Sequence, residues 1–276
     1  EYRLPYDRLD ADVEVITSLG VQIRYNTCIG KDVSLQELER DYDAVVVAIG
    51  LQKGRSTRIP GSNHRQVKKA VSLLRKITRG DTFDVPRSAV VIGGGNVAMD
   101  IARSLARLQK QQHGEVKITV AALESFDHFL ADQEEVTESR EEGIEILDSR
   151  GPKQILIDDQ DKLTGLATLG VISIFDDDGR FAPRYDDNDE QIHPAEMVVE
   201  SIGQMSDVSL FGDALTERLE WNRGRLKVDE NGRTSESWLW SAGDMVFGPD
   251  VVHAVADGHR VAASIEQHLA SLEVKQ

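Results

Sequence analysis

The 276 residues carry 48 acidic and 32 basic side chains, a formal charge of -16, with 40% hydrophobic and 29% charged residues. That balance repels polyanions and so argues against nucleic-acid binding or attachment to an anionic membrane, while the apolar content suffices for one large or two ordinary globular domains. No run of ~18 apolar residues or signal-peptide pattern occurs, and the single Cys28 allows no internal disulfide, C-x-x-C pair or metal cluster, which reads as a cytoplasmic chain.

Leu9, Val13, Ile16 and Leu19 recur at helical spacing and Gly20 stands where a helix C-terminal glycine belongs, predicting a helix over residues 5–19. Val21 to Tyr25 alternates like a half-buried strand, and Cys28 just beyond it reads as a buried structural thiol. Ser34-Leu35-Gln36-Glu37 has capping-box spacing and opens a short helix. Ala44-Val45-Val46-Val47-Ala48-Ile49-Gly50 is an apolar run closed by a glycine, as expected of a central strand ending against a ligand or another backbone. Residues 51–63 are rich in Lys, Arg, Gly, Pro and Ser, and Ile59-Pro60-Gly61 marks a turn, so a domain boundary is expected here.

Val71, Leu73, Leu74 and Ile77 give another helical face, closed by Gly80. The most informative stretch follows: Ala89-Val90-Val91-Ile92-Gly93-Gly94-Gly95-Asn96-Val97-Ala98-Met99-Asp100, an apolar run that ends in three glycines and restarts as a helix. Gly93, Gly95 and Ala98 satisfy G-x-G-x-x-G/A. The first serves the tight turn, the second lets a pyrophosphate approach the backbone, and the third allows close helix packing. The free amides of the helix then face the phosphates. Val97, Ile101, Leu105 and Leu108 form the helix's buried stripe, and Val116 to Ala121 supplies the next strand, completing a βαβ unit.

Glu134 to Glu142 reads as a polar helix and Ile144 to Leu147 as a strand. Residues 153–175 suggest antiparallel strands, with Asp176-Asp177-Asp178-Gly179 a hairpin turn and Tyr185-Asp186-Asp187-Asn188-Asp189-Glu190 a solvated acidic loop. These aspartates fail the calcium-loop pattern, since Ile174 and Tyr185 would occupy its first and twelfth ligand positions. Met197-Val198-Val199-Glu200-Ser201-Ile202-Gly203 repeats the logic of Val45 to Gly50, as expected of one nucleotide-binding domain inserted in another. Ser201 lacks a Gly-x-Ser-x-Gly setting for a hydrolase nucleophile. Leu239-Trp240-Ser241-Ala242-Gly243-Asp244 is a short strand ending in Gly-Asp, and Val251 to Leu269 a long helix. Trp221, Trp238 and Trp240 read as packing residues and His253 as ordinary surface.

Several stretches in this order resemble the two-dinucleotide flavoproteins, specifically the glutamate synthase small (beta) subunit group, which includes the flavin and nucleotide part of dihydropyrimidine dehydrogenase. They are Glu1-Tyr2-Arg3-Leu4-Pro5, Tyr42 to Gly50, Val91 to Asp100, Glu134-Glu135-Val136 with Glu142-Gly143-Ile144, Ile202-Gly203-Gln204, and Ala242-Gly243-Asp244 through Val251-Val252 to Ala256-Asp257-Gly258. The resemblance implies an α/β fold with a Rossmann-like NAD(P)H-binding domain, residues 63–205, inserted in an FAD-binding domain made of 1–62 and 206–276. It implies NAD(P)H on Gly93, Gly94, Gly95, Asn96, Val97 and Ala98 with Gly203, and FAD along Gly50, Gly243 and Asp244 with the helix start at Val251 and Val252 facing the flavin. Hydride then passes to FAD and electrons to iron-sulfur clusters of a partner domain or subunit; the cofactors carry that chemistry, and no side chain is singled out as catalytic.

Two departures stand beside the match. Such proteins open their FAD domain with another glycine βαβ unit, preceded by a cysteine-rich iron-sulfur region. Neither precedes the matching stretches here, so the chain is expected to be an excerpt with a truncated FAD domain that holds FAD weakly or not at all. At the end of the second βαβ strand, where members using NADPH carry a pair of arginines, stand Leu123 and Glu124. A carboxylate there accepts hydrogen bonds from the ribose hydroxyls and repels a 2'-phosphate, which favours NADH. The alternative expectation is a nucleotide-binding or docking module of a larger redox complex, without turnover.

Overall fold

The computed structural model describes residues 4–222, 224–248 and 250–273; Glu1, Tyr2 and Arg3 of the first matching stretch lie outside the described residues. Helix α1 (Tyr6–Ser18) is closed by Gly20 in the left-handed region, φ 92°. It buries none of its residues, and the stripe that sets its period is open, Ile16 at 54% and Leu19 at 80% exposure. Val21 to Tyr25 forms no strand, and Cys28 is exposed in the loop beyond, its amide donating to Asp32 Oδ2 at 2.8 Å. Alternation supplies only one face of a strand, and no strand edge among the described residues pairs with this one. Helix α2 (Leu35–Asp41) opens on the expected capping box: Ser34 Oγ accepts from the Glu37 amide at 3.1 Å, and the Ser34 amide donates to Glu37 Oε2 at 2.7 Å. Strand β1 (Val45–Val47) follows.

The chain divides into two compact units, Glu1–Leu51 with Ser206–Gln276, and Gln52–Met205. The division falls between Leu51 and Gln52, at the start of the segment 51–63 where composition places a boundary, so that residues 52–62 belong to the second unit. Strand β2 (Lys53–Gly54) pairs with the distant Gln204–Met205, and the Pro60 carbonyl accepts from the Ile155 amide at 3.0 Å. Long-range pairing, which local turn chemistry does not encode, sets this boundary.

The second unit continues through β3 (Val67–Lys69), α3 (Ala70–Arg79), β4 (Ala89–Ile92), α4 (Asn96–His113), β5 (Ile118–Ala121), α5 (Gln133–Glu141) and β6 (Glu145–Leu147). Three antiparallel strands come next, β7 (Arg150–Ile157), β8 (Leu163–Phe175) and β9 (Phe181–Pro194), then β10 (Met197–Glu200) and β11 (Gln204–Met205). The parallel sheet has the order β3-β10-β4-β5-β6. Strand period divides its core. Val91, Val120 and Val199 pack with Met99, Ile101 and Leu105 of α4, whereas Val90, Ile92 and Val198 pack with Ile155, Leu163 and Leu166 of the antiparallel strands. Both faces are covered, as a parallel sheet requires.

The acidic run 185–190 lies within β9 and is not a loop. Two of its charges are met from β7, across the intervening β8: Asp189 by Arg150 at 2.6 Å and Glu190 by Lys153 at 2.7 Å. Asp176 to Gly179 makes the expected hairpin turn.

The first unit resumes with α6 (Gly212–Arg218), the short pair β12 (Trp221–Asn222) and β13 (Arg225–Leu226), β14 (Leu239–Ser241) and α7 (Val251–Glu273). Strand β14 runs parallel to β1, Val46 opposite Trp240, and these two make the whole of that sheet among the described residues. Leu35, Val47, Phe211, Leu215, Leu239 and Met245 form its core; Trp240 is fully buried beside Val261. No helix among the described residues is long and apolar enough to cross a membrane.

Candidate functional site

At the carboxyl end of β4 the three glycines meet different surroundings. The Gly93 amide donates to Ala121 O at 2.9 Å, its φ is 134°, and a Cβ on it would stand 2.3 Å from the Ser201 carbonyl oxygen. A Cβ on the buried Gly94 would stand 2.8 Å from Glu124 Oε2 and 3.0 Å from Ala122 Cβ. Gly95, the N-cap residue of α4, faces open space, with nothing within 4 Å of where its Cβ would be. Ala98, one turn into the helix, is fully buried against the sheet. The turn therefore packs through Gly93, admits a carboxylate over Gly94, and leaves the helix amino end approachable at Gly95.

Topology places this turn at a switch point. From β4 the chain crosses by α4 to β5 on one side, while β10 adjoins β4 on the other, and ligands of open α/β sheets bind at the carboxyl edge where the order reverses. At that edge the Ser201 hydroxyl is shut off from solvent, with no hydrogen-bond partner among the described residues. A glycine cradle and an orphaned polar atom at the strand ends fit a dinucleotide.

Glu124 lies three residues past the end of β5, its carbonyl accepting from the Ser149 amide at 3.0 Å and its half-buried carboxylate lying over Gly94. The Asn96 side chain is committed elsewhere: it donates to Asp132 Oδ2 and accepts from the Asp132 amide, both at 2.9 Å, fastening the start of α4 to the start of α5. Val97 packs on the core. Phe129 reaches within 3.6 Å of the Gly94 Cβ position and stacks on Phe126, which Arg140 covers at 4.5 Å. The sequence reading missed this pair, whose signal was two phenylalanines three residues apart just past a strand end.

In the first unit, Gly50 has φ 63° and its carbonyl accepts from Ser206 Oγ at 2.9 Å. Gly243, φ 69°, donates its amide at 3.0 Å to Asp257 Oδ2, a buried carboxylate that also pairs with Arg260. Asp244 is half-buried beside it, and Val251 and Val252 stand 78% and 77% exposed at the start of α7. That helix starts there because Asp250 caps it, accepting from the His253 amide at 2.8 Å. The His253 amide and imidazole hold the Asp250 carboxyl below the usual carboxylate range. Asp257 and Glu200 are acids whose burial sequence reasoning did not foresee; Glu200 is a single charge at the end of an apolar strand, and Asp257 stands between Ala256 and Gly258 on α7.

Residues 5–258 match the pyridine nucleotide-disulphide oxidoreductase family. The chain belongs to that family. It is 34% identical over 275 residues to the NADP(+)-dependent formate dehydrogenase subunit beta of Moorella thermoacetica, covering 97% of this chain and 38% of that protein. It is 30% identical over 276 residues to the NAD-dependent dihydropyrimidine dehydrogenase subunit PreT of Escherichia coli K12, covering 98% and 58%. With the small chain of glutamate synthase [NADPH] from Halomonas elongata it shares 27% identity, covering 98% and 59%. The resemblance drawn from the motifs thus holds. The chain spans roughly two fifths to three fifths of the length of these curated relatives. Mycobacterium tuberculosis FprA in complex with NADPH has the same fold, with a TM-score of 0.72 and 19% identity over 91% of this chain and 69% of that one. The architecture is that of the two-dinucleotide oxidoreductases, whose members bind FAD and NAD(P)H.

Proposed function

We propose that this chain is the nucleotide-oxidising part of an electron-input flavoprotein, drawing hydride from NADH into FAD and passing electrons to iron-sulfur clusters of a partner domain or subunit. The observation that carries the reading is the Gly93–Ala98 turn at the sheet's switch point, open at Gly95 and overlain at Gly94 by the Glu124 carboxylate. The amides at the start of α4 would hold the pyrophosphate, Gly203 would flank the nucleotide at the end of β10, and Glu124 would accept from the adenosine ribose hydroxyls while repelling a 2'-phosphate. Relatives named for NAD and for NADP both occur, so the local residues make the choice. When bound, the nicotinamide supplies hydride and the flavin accepts it; the protein orients them and excludes water.

Gly50, Gly243, Asp244, Val251 and Val252 would line the FAD. Asp257 would fix the Gly243 turn, and the Asp250 carboxylate would offset part of the positive potential at the start of α7. Among the described residues the first unit has two strands in its parallel sheet, and Val46 on β1 and the α1 stripe are exposed. That exposure supports a reading in which further polypeptide completes the flavin domain and this chain alone holds FAD weakly. The same exposed faces favour the second reading, a docking module without turnover.

Titration of the chain with NADH and NADPH, followed by dye reduction with added FAD, tests this. The expected results are saturable binding with NADH tighter than NADPH, and dye reduction that rises with FAD. Tighter NADPH binding rejects the role given to Glu124, absence of nucleotide binding rejects the site, and binding without dye reduction at saturating FAD supports the docking module. Stoichiometric FAD retained through gel filtration contradicts weak flavin binding.

A further inference from the structure

We propose that Arg55 holds the nicotinamide-side phosphate of the bound dinucleotide, presented there by the buried carboxylate of Glu200. The inference rests on the reading of the Gly93 turn as a dinucleotide site and adds a residue and a ligand atom to it. A dinucleotide crosses the switch point. With its adenosine end on the β5 side at Glu124, its other half passes over the carboxyl end of β10, the turn Ser201-Ile202-Gly203. Gly203 has φ 101°, and the atoms within 4 Å of where its Cβ would stand are Arg55 Cδ at 3.7 Å and Nε at 4.0 Å. The Arg55 amide donates to Gly203 O at 3.0 Å and Nε to Gln204 O at 3.4 Å. The residue is exposed, and its terminal nitrogens make no hydrogen bond to another described residue. A planar guanidinium thus lies over the strand-end turn with its outer edge free, the geometry that takes a phosphate through two parallel hydrogen bonds.

The loop that carries Arg55 is fixed by an unusual device. Glu200, 1% exposed at the end of β10, accepts from the Thr57 amide at 2.7 Å, Thr57 Oγ1 at 2.6 Å and Ser56 Oγ at 3.2 Å, and pairs with Lys69. A Cβ on Gly54 would stand 2.9 Å from Lys69 Cβ, so the glycine lets the lysine stem pass. A strand end does not require this acid: at the matching place before Ala48-Ile49-Gly50 stands Val47. A buried ion pair is a poor way to gain stability compared with apolar packing. What it does accomplish is registry, tying residues 55–57 to the carboxyl edge of the sheet. The nearby acids Glu124 and Asp132 repel an anion, which gives a pyrophosphate good reason to need a cation on the opposite wall.

Binding of NADH, ADP-ribose and AMP to the full chain, measured by calorimetry for the wild type, Arg55→Gln and Arg55→Lys, tests the proposal. Arg55→Gln should weaken NADH and ADP-ribose about 10- to 100-fold, the range of a lost charged hydrogen bond, and leave AMP, which lacks the second phosphate, within about twofold. Arg55→Lys should recover part of the loss. Glu200→Gln, a change at a positioning residue, should show the same split between NADH and AMP more weakly. A wild type that binds none of the three ligands sinks the dinucleotide reading itself. If the wild type binds NADH, three results overturn the role of Arg55: unchanged affinity in Arg55→Gln, equal loss for AMP and NADH, or no recovery in Arg55→Lys.

Discussion

The two units solve the same problem to different degrees. In the second, a five-stranded parallel sheet is covered on one face by α4 and on the other by β7 to β9, and every residue of β4 and β10 is buried. In the first, two parallel strands carry the sheet among the described residues, Val46 of β1 is 43% exposed, and α1 buries nothing. Amphipathic pattern and packing have come apart there: Leu9, Val13 and Ile16 have the spacing of a buried stripe without a surface to receive it. A hydrophobic period thus states what an element is prepared to bury, and the partner has to come from somewhere else in the fold or from another polypeptide. The unit with a closed core is the one whose glycine turn is held in place.

The sharpest break of this comparison is a core truncation. Leu105→Ala on α4, fully buried, should cost about 2–5 kcal/mol, read as a lower melting temperature or denaturant midpoint. Next in size is Glu124→Arg, which should reverse the nucleotide preference toward NADPH by about 10- to 100-fold, as measured by paired titrations. A smaller effect lies in the antiparallel strands. Burial and the neighbouring Arg150 guanidinium hold His193 below its ordinary value, and it stays neutral beside Thr168 Oγ1 at 2.8 Å. The unfolded chain takes up that proton first as the pH falls below about 6.5, so His193 contributes a loss of stability toward acid. Thermal melts across that window should fall less steeply for His193→Gln than for wild type. Smallest of all should be Val13→Ser on α1, within about 0.5 kcal/mol; a change as large as that of Leu105→Ala would mean that α1 is packed in solution.

What the sequence made legible was local. The glycine turn, the capping box at Ser34, the Gly80 helix stop and the strand-end position of Glu124 follow from neighbours a few residues away, and all stand where expected. What it hid was non-local. Val21 to Tyr25 alternates correctly yet pairs with no edge among the described residues, and Cys28 is exposed with it. The acidic run 185–190 reads as a loop until Arg150 and Lys153 are seen across the sheet. Glu200 is one charge in an apolar strand whose partners Thr57 and Lys69 lie far upstream, and the pairing of Lys53–Gly54 with Gln204–Met205 likewise joins residues 52–62 to the second unit.

The central claim is that Gly93 to Ala98 holds a nicotinamide dinucleotide, and calorimetric titration of NADH into the wild-type chain and into Gly95→Ala tests it most directly. Gly95 has φ -97°, a conformation alanine adopts, and open space where a methyl group would project. The account predicts one saturable site in the wild type and, in the variant, an unchanged melting temperature with affinity reduced about tenfold or more by the blocked approach to the helix amides. Equal NADH affinity in the two proteins, or no binding by either, would contradict it.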